Sequence, residues 1–248
     1  MKQITEKKRD PISLPKLVVL VIAGSIANNA CMWLSSSLSL GLYLDIVFTV
    51  ALVFLAGLIP GIICAVLSAA VYGIIYCFVF GTPYHWVWYF NIFYGVVACF
   101  LVMLYEKLFP AEYKRVRLDS PSNSSVAFNR GQFLNLILLL INLSISMFIV
   151  LGIIGGIISA CTGMTGNVVP DNIPPETRFR PGFIGQGFDL FVSEILSRFP
   201  VNLADKLIAV FAGFAAAYFI KKIFNAKRGE AARAKCSAAT RAKELNKK

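Results

Sequence analysis

Charge is what this sequence has least of. Of its 248 residues 15% are charged and 57% are hydrophobic. A soluble domain usually has about a quarter of its residues charged, so an ordinary soluble enzyme does not fit. Histidine is nearly absent. His85 stands alone, which excludes a His-rich metal site. The six cysteines, Cys31, Cys64, Cys77, Cys99, Cys161 and Cys236, form no C-x-x-C pair. A disulfide framework or zinc site needs clustered spacing, so they read as small apolar side chains. No nucleophile with a neighbouring base is apparent, and catalysis inside a bilayer needs that or a metal cluster. No catalytic residue, metal or cofactor is therefore assigned, and the chain is not read as an enzyme.

What the sequence has instead is long apolar blocks, all but one at or above the roughly 18-residue length that reads as a membrane-crossing helix. Six crossings are expected, over residues 17–34, 46–58, 62–80, 86–105, 133–160 and 203–220. The second is short and begins beside Asp45. The run Gly57-Leu-Ile-Pro-Gly61 turns the chain between the second and third. The fold class is thus an all-α integral membrane protein, a bundle of six transmembrane helices. A basic N-terminus (1–16) precedes the membrane domain (17–220) and a basic tail (221–248) follows it.

The net charge of +11 could point to nucleic acid, but its placement argues for a membrane. Residues 1–16 carry five Lys and Arg, the connector 106–132 carries five, and the tail carries ten. Six crossings put these three segments on one side, which the positive-inside rule makes the cytoplasm. Both termini are then cytoplasmic and the connector 161–202 is extracellular. No base-stacking or groove-reading motif accompanies the basic segments, so no nucleic-acid partner is expected.

No Asp, Glu, Lys or Arg falls mid-span in this reading. Asp45, Asp205 and Lys206 stand near predicted span ends, which argues against an ion-coupled carrier. Asn202 and Asp205 have the spacing of a helix N-cap and its N3 partner. Small residues recur at helical spacing: Ala23 and Ala27 in the first span, Gly152 and Gly156 in the fifth, Ala209 to Ala217 in the sixth. Such residues let helices approach closely, either within this bundle or against another subunit.

Three stretches carry a resemblance: LYLDIVFTVA (42–51) with LAGLIPGI (55–62), FPVNLADKLIAVFAG (199–213), and the pair Ala23 and Ala27. They resemble the second, third and last helices of substrate-binding S components of energy-coupling factor (ECF) transporters, and the small-residue motif of their first helix. The resemblance implies a subunit that captures a vitamin or similar micronutrient from outside. It implies docking through Ala23 and Ala27 to a transmembrane coupling subunit with two ATPase subunits, in the inner membrane of a prokaryote. The absence of a Walker-type Gly-rich loop fits such a division of labour. The alternative is a small-ligand membrane sensor or interaction protein that does not transport.

For the ligand, the aromatic run around Tyr84 and Trp88 is either an interfacial belt or a stacking wall. Asn91, about 7 Å into its span at 1.5 Å per residue, needs a partner when buried. Asn142 is another embedded polar group, and Arg178 in the outer connector suits an anionic ligand group. The pocket is expected between the outer halves of spans four to six. Phe188, Phe191 and Ile195 have amphipathic helical spacing, which predicts a short helix at the membrane surface.

The Lys and Arg count makes a direct prediction. Cysteine labelling or a reporter fused after Lys248 is expected to place the tail in the cytoplasm; a tail found outside overturns the topology.

Overall fold

The computed structural model describes residues 12–38, 40, 42–80, 87–109, 130–161 and 179–245. These form helices α1 (Leu14–Ser37), α2 (Val47–Ala56), α3 (Leu58–Phe80), α4 (Val87–Leu108), α5 (Arg130–Cys161), α6 (Arg180–Gly185), α7 (Leu190–Ser197) and α8 (Phe199–Leu245). Among the described residues there is no strand.

Among the described residues five segments are long and apolar enough to cross a membrane: Leu14–Ser37, Leu58–Ile75, Asn91–Leu108, Phe133–Ile157 and Leu190–Phe224. Their outer faces are apolar as well. Leu14, Val19, Ile59 and Phe219 are exposed, and Phe78 is 86% exposed. Soluble proteins rarely display continuous apolar surface on this scale, and a multi-pass membrane protein does. The second of the six expected crossings is the exception. Its helix, α2, has 10 residues, about 15 Å at 1.5 Å per residue. That is about half of a 30 Å hydrocarbon core, so α2 alone does not cross.

Instead α2 sits at the centre. It packs against α1, α3, α4 and α8, and Val47, Thr49, Val50, Ala51, Leu52 and Val53 are all buried. A helix buried on every face is apolar all round. Four of those six residues are β-branched, which disfavours helix through lost χ1 freedom. Tertiary packing therefore holds α2 helical. Ile46, Val47, Val50 and Val53 join Cys99, Val102, Leu143, Met147 and Val210 in the main core. Val21, Leu52 and Cys64 form a smaller cluster against α1.

The contacts set the helix directions. Ser25 meets Cys64 and Asn29 meets Ser68, so α1 and α3 run parallel. Tyr105 of α4 meets Asn142 and Ser146 of α5. Tyr43 meets Asp205 while Phe54 stacks edge-on with Phe214 at 5.5 Å, so α2 and α8 run parallel. One end of the bundle thus gathers the end of α1, the start of α2, the start of α4, and α6, α7 and the start of α8. The opposite end holds the start of α1, where Lys16 lies 5.9 Å from the Phe224 ring.

Two glycines make the centre possible. Gly57 passes α2 directly into α3 with φ of 101°, a left-handed conformation that glycine adopts without Cβ strain. Gly213 of α8 lies on the α2 backbone. A Cβ there would stand 2.7 Å from the Val47 carbonyl oxygen and 3.2 Å from the Ala51 nitrogen. Gly213→Ala is therefore expected to destabilise by about 1–3 kcal/mol, as overpacking does. Gly182→Ala, where a Cβ meets nothing within 4 Å, is the control. Thermal unfolding in detergent checks it, and equal midpoints for the two variants would refute the close approach.

Candidate functional site

The chain reaches α2 through a non-helical stretch, residues 42–46, with Leu44 at φ of 51°. Backbone outside a helix has unpaired N–H and C=O groups, and burying them without partners costs about 1–3 kcal/mol each. Side chains from distant helices supply the partners. The fully buried Asp205 carboxylate of α8 accepts the Tyr43 N–H at 3.0 Å and the Leu44 N–H at 2.8 Å through Oδ1. Its Oδ2 accepts from Lys206 Nζ at 2.5 Å. Ser35 Oγ donates to the Leu42 carbonyl at 2.5 Å.

Asn28 of α1 completes the cradle from the other side. Its Oδ1 accepts the Phe48 N–H at 2.8 Å, one of the free donors at the start of α2. Its Nδ2 donates to Thr49 Oγ1 at 3.0 Å and to Ser68 Oγ at 3.1 Å. Asn29 Nδ2 donates to the Ser25 and Ser68 carbonyls at 2.8 and 3.2 Å. One amide therefore ties α1, α2 and α3 together inside an apolar bundle.

A cavity of about 30 Å³ adjoins this network, lined by Asn28, Asn29, Asp45, Thr49, Ser68 and Asn91 on its polar side and by Met32, Ile46, Ala65 and Tyr72 among others. Asp45 is the charged residue of the lining. Its Oδ1 is shut off from solvent and has no hydrogen-bond partner among the described residues. Lys206 and Asp205 are charged neighbours that act on it. A third buried carboxylate, Glu194 of α7, is held by Arg180 at 3.3 Å and Arg198 at 3.1 Å. It joins α6, α7 and the start of α8.

The residues singled out from sequence are distributed as follows. Asn91 lines the cavity. Trp88 is on α4, with its side chain outside the described residues, and Tyr84 and Arg178 lie wholly outside them. Asn142 is exposed on α5, away from the cavity, and its carbonyl accepts from the Tyr105 hydroxyl at 3.1 Å. Ala23 is exposed and Ala27 half-buried, while Gly24, Ser25 and Asn28 face inward. The cavity lies between α1, α2, α3 and α4, whereas the expectation placed a pocket among spans four to six.

Two expectations about polar residues change. Asn202 is not a helix start, because α8 begins at Phe199 and the Asn202 N–H bonds to the Arg198 carbonyl at 2.9 Å. Asp205 instead caps backbone 161 and 162 residues away in sequence. Asp45, placed by sequence beside the start of the second span, precedes the Ile46 cap and stands outside α2. Asp205 and Lys206, discounted in sequence for standing near a span end, are 0% and 7% exposed. The signal missed was their proximity to Asp45, which only the fold brings about. Asn28 is the centre of the polar network, a role that its sequence neighbours do not reveal.

No family model, curated protein or solved structure matches this chain. Among the described residues no three His, Cys, Asp or Glu side chains gather as a transition-metal set would require.

Removing one member of a buried ion pair strands the other charge and costs about 3–5 kcal/mol. Asp205→Ala is expected to lose that much, and Asp205→Ala with Lys206→Met to recover part of it. Full recovery is not expected, since the Tyr43 and Leu44 N–H groups stay orphaned. Chemical or thermal unfolding of the three proteins checks this; an unchanged midpoint for Asp205→Ala would show that the cradle carries no stability.

Proposed function

We propose that this chain is a substrate-capture subunit of an ECF-type micronutrient transporter, binding a small molecule from outside and passing it to an ATP-driven coupling module. The observation that carries the reading is the half-open cavity beside the start of α2, whose mostly apolar lining holds a few polar groups. Ligand sites are concave and mostly apolar, with a few aimed polar groups, and Asn28, Asn91 and Asp45 are such groups. Broken helices near the membrane midplane build substrate sites in other transporters. At about 30 Å³ the cavity has room for one or two waters, so capture of a vitamin-sized molecule involves widening. The α3–α4 seam, where Gly95 lies on Ala65, borders it.

The finer topology follows from the same reading. The non-helical residues 42–46 precede the roughly 15 Å of α2, and together they make a sixth crossing whose first half is not helical. Irregular backbone is tolerated at membrane depth where protein surrounds it. Both termini are then cytoplasmic in a prokaryotic inner membrane, and the cavity lies toward the outer side. Ala23 and Ala27 stand on the outward side of α1, available to a coupling subunit that works with two ATPase subunits.

A second reading, a sensor that binds a small ligand without transport, is favoured by α8, which continues from Asp205 unbroken to Leu245. Mass spectrometry of molecules that co-purify with the full chain identifies the ligand. Asn91→Leu is expected to weaken its binding by about 5- to 150-fold, the effect of losing one buried hydrogen bond. Equal affinity for parent and variant overturns the assignment of this cavity. Uptake that requires ATPase subunits separates transport from sensing.

A further inference from the structure

The Asp45 cavity has a charge problem that substrate capture alone does not explain. Asp205 has already taken Lys206, at 2.5 Å, and its other oxygen is filled by two N–H groups. That pair is neutral and satisfied. Asp45 is left with an enclosed oxygen that has no partner among the described residues. The start of α2 contributes about half a unit of positive charge, but its Phe48 N–H is committed to Asn28. Lys206 lies near Asp45 but is shared with Asp205, and a buried carboxylate with only part of a counter-charge is costly. The mostly apolar cavity beside it also presents neutral polar side chains of Asn29, Thr49, Ser68 and Asn91, and hard cations take oxygen ligands.

We propose that this cavity is a binding site for one compact monovalent cation, held by Asp45 and the neighbouring side-chain oxygens. Among the described residues Asp45, Asp205 and Lys206 together carry one negative charge in excess, which a single positive charge balances. The volume of about 30 Å³ admits an alkali ion or an ammonium head and excludes a ring. The cation bridges α1, α2 and α4, so its occupancy stabilises the start of α2. The inference does not rest on the transport reading, since a sensor could hold the same ion.

The test uses the full chain purified in detergent and exchanged into N-methylglucamine chloride at pH 8. NaCl, KCl or methylammonium chloride is then titrated at constant ionic strength while the unfolding midpoint is followed. A saturable rise of about 3–6 °C is expected with at least one of these cations. A response to Na⁺ or K⁺ assigns a free ion, and a response to methylammonium alone assigns the amine of a captured molecule. Asp45→Asn is expected to abolish the response. If Asp45→Asn does not fold, Asn91→Ala decides. It is expected to move the titration midpoint upward about 5-fold or more, whereas Asn142→Ala, exposed on α5, leaves it in place. Identical curves in all salts overturn the proposal. So does an unchanged response in Asp45→Asn or Asn91→Ala, or stability that follows pH alone, which would mean a proton neutralises Asp45.

Discussion

A helix that begins inside an apolar bundle must find partners for its first N–H groups, and the rest of this structure is arranged around that need. In lipid no water can supply them. Asn28 gives one acceptor to Phe48, and Asp205 gives one oxygen to both Tyr43 and Leu44. These two side chains come from α1 and α8, on opposite sides of α2. The short helix is therefore held by polar pins at its entry and by close apolar packing along its length. Lys206 neutralises Asp205, and the cost of burying a charge becomes the means of orienting a backbone.

Packing follows from the same centre. Without a hydrophobic driving force between helices in lipid, close van der Waals approach must substitute. Gly213 brings α8 onto α2, and Gly61 brings α3 onto Val53, where an added Cβ would stand 2.3 Å from the Val53 side chain. Gly156 does the same for α5 and Ile195 of α7. The small residues that recur in the sequence thus serve the bundle interior at these positions. Ala23, on the outer side of α1, does not.

The long helices were readable from sequence because each is a single apolar run whose length alone implies a crossing. The form of the second was not legible: residues 46–58 are apolar apart from Thr49, and apolarity does not distinguish a helix that runs the whole way from one that starts halfway. The non-helical approach over 42–46 has no local signature beyond Asp45. The site was readable only in part. Asn91 could be picked out as a lone amide in a span, but Asn28, Thr49 and Ser68 meet across 21 and 40 residues of sequence. Asp205 with its neighbour Asn202 looks locally like a cap, and only tertiary structure turns its carboxylate toward Tyr43. Sequence periodicity reports which face a residue occupies, not which distant backbone it completes.

α8 is one helix from Phe199 to Leu245, and it has the leverage of a beam. From Lys206 to Leu245 it extends about 58 Å at 1.5 Å per residue. A tilt of about 5° at the buried end, where Asp205 grips the backbone before α2, would carry the far end through about 5 Å, one helical turn in height. A rearrangement too small to reshape the bundle would thus reach the basic end of the helix as a displacement large enough to make or break a contact.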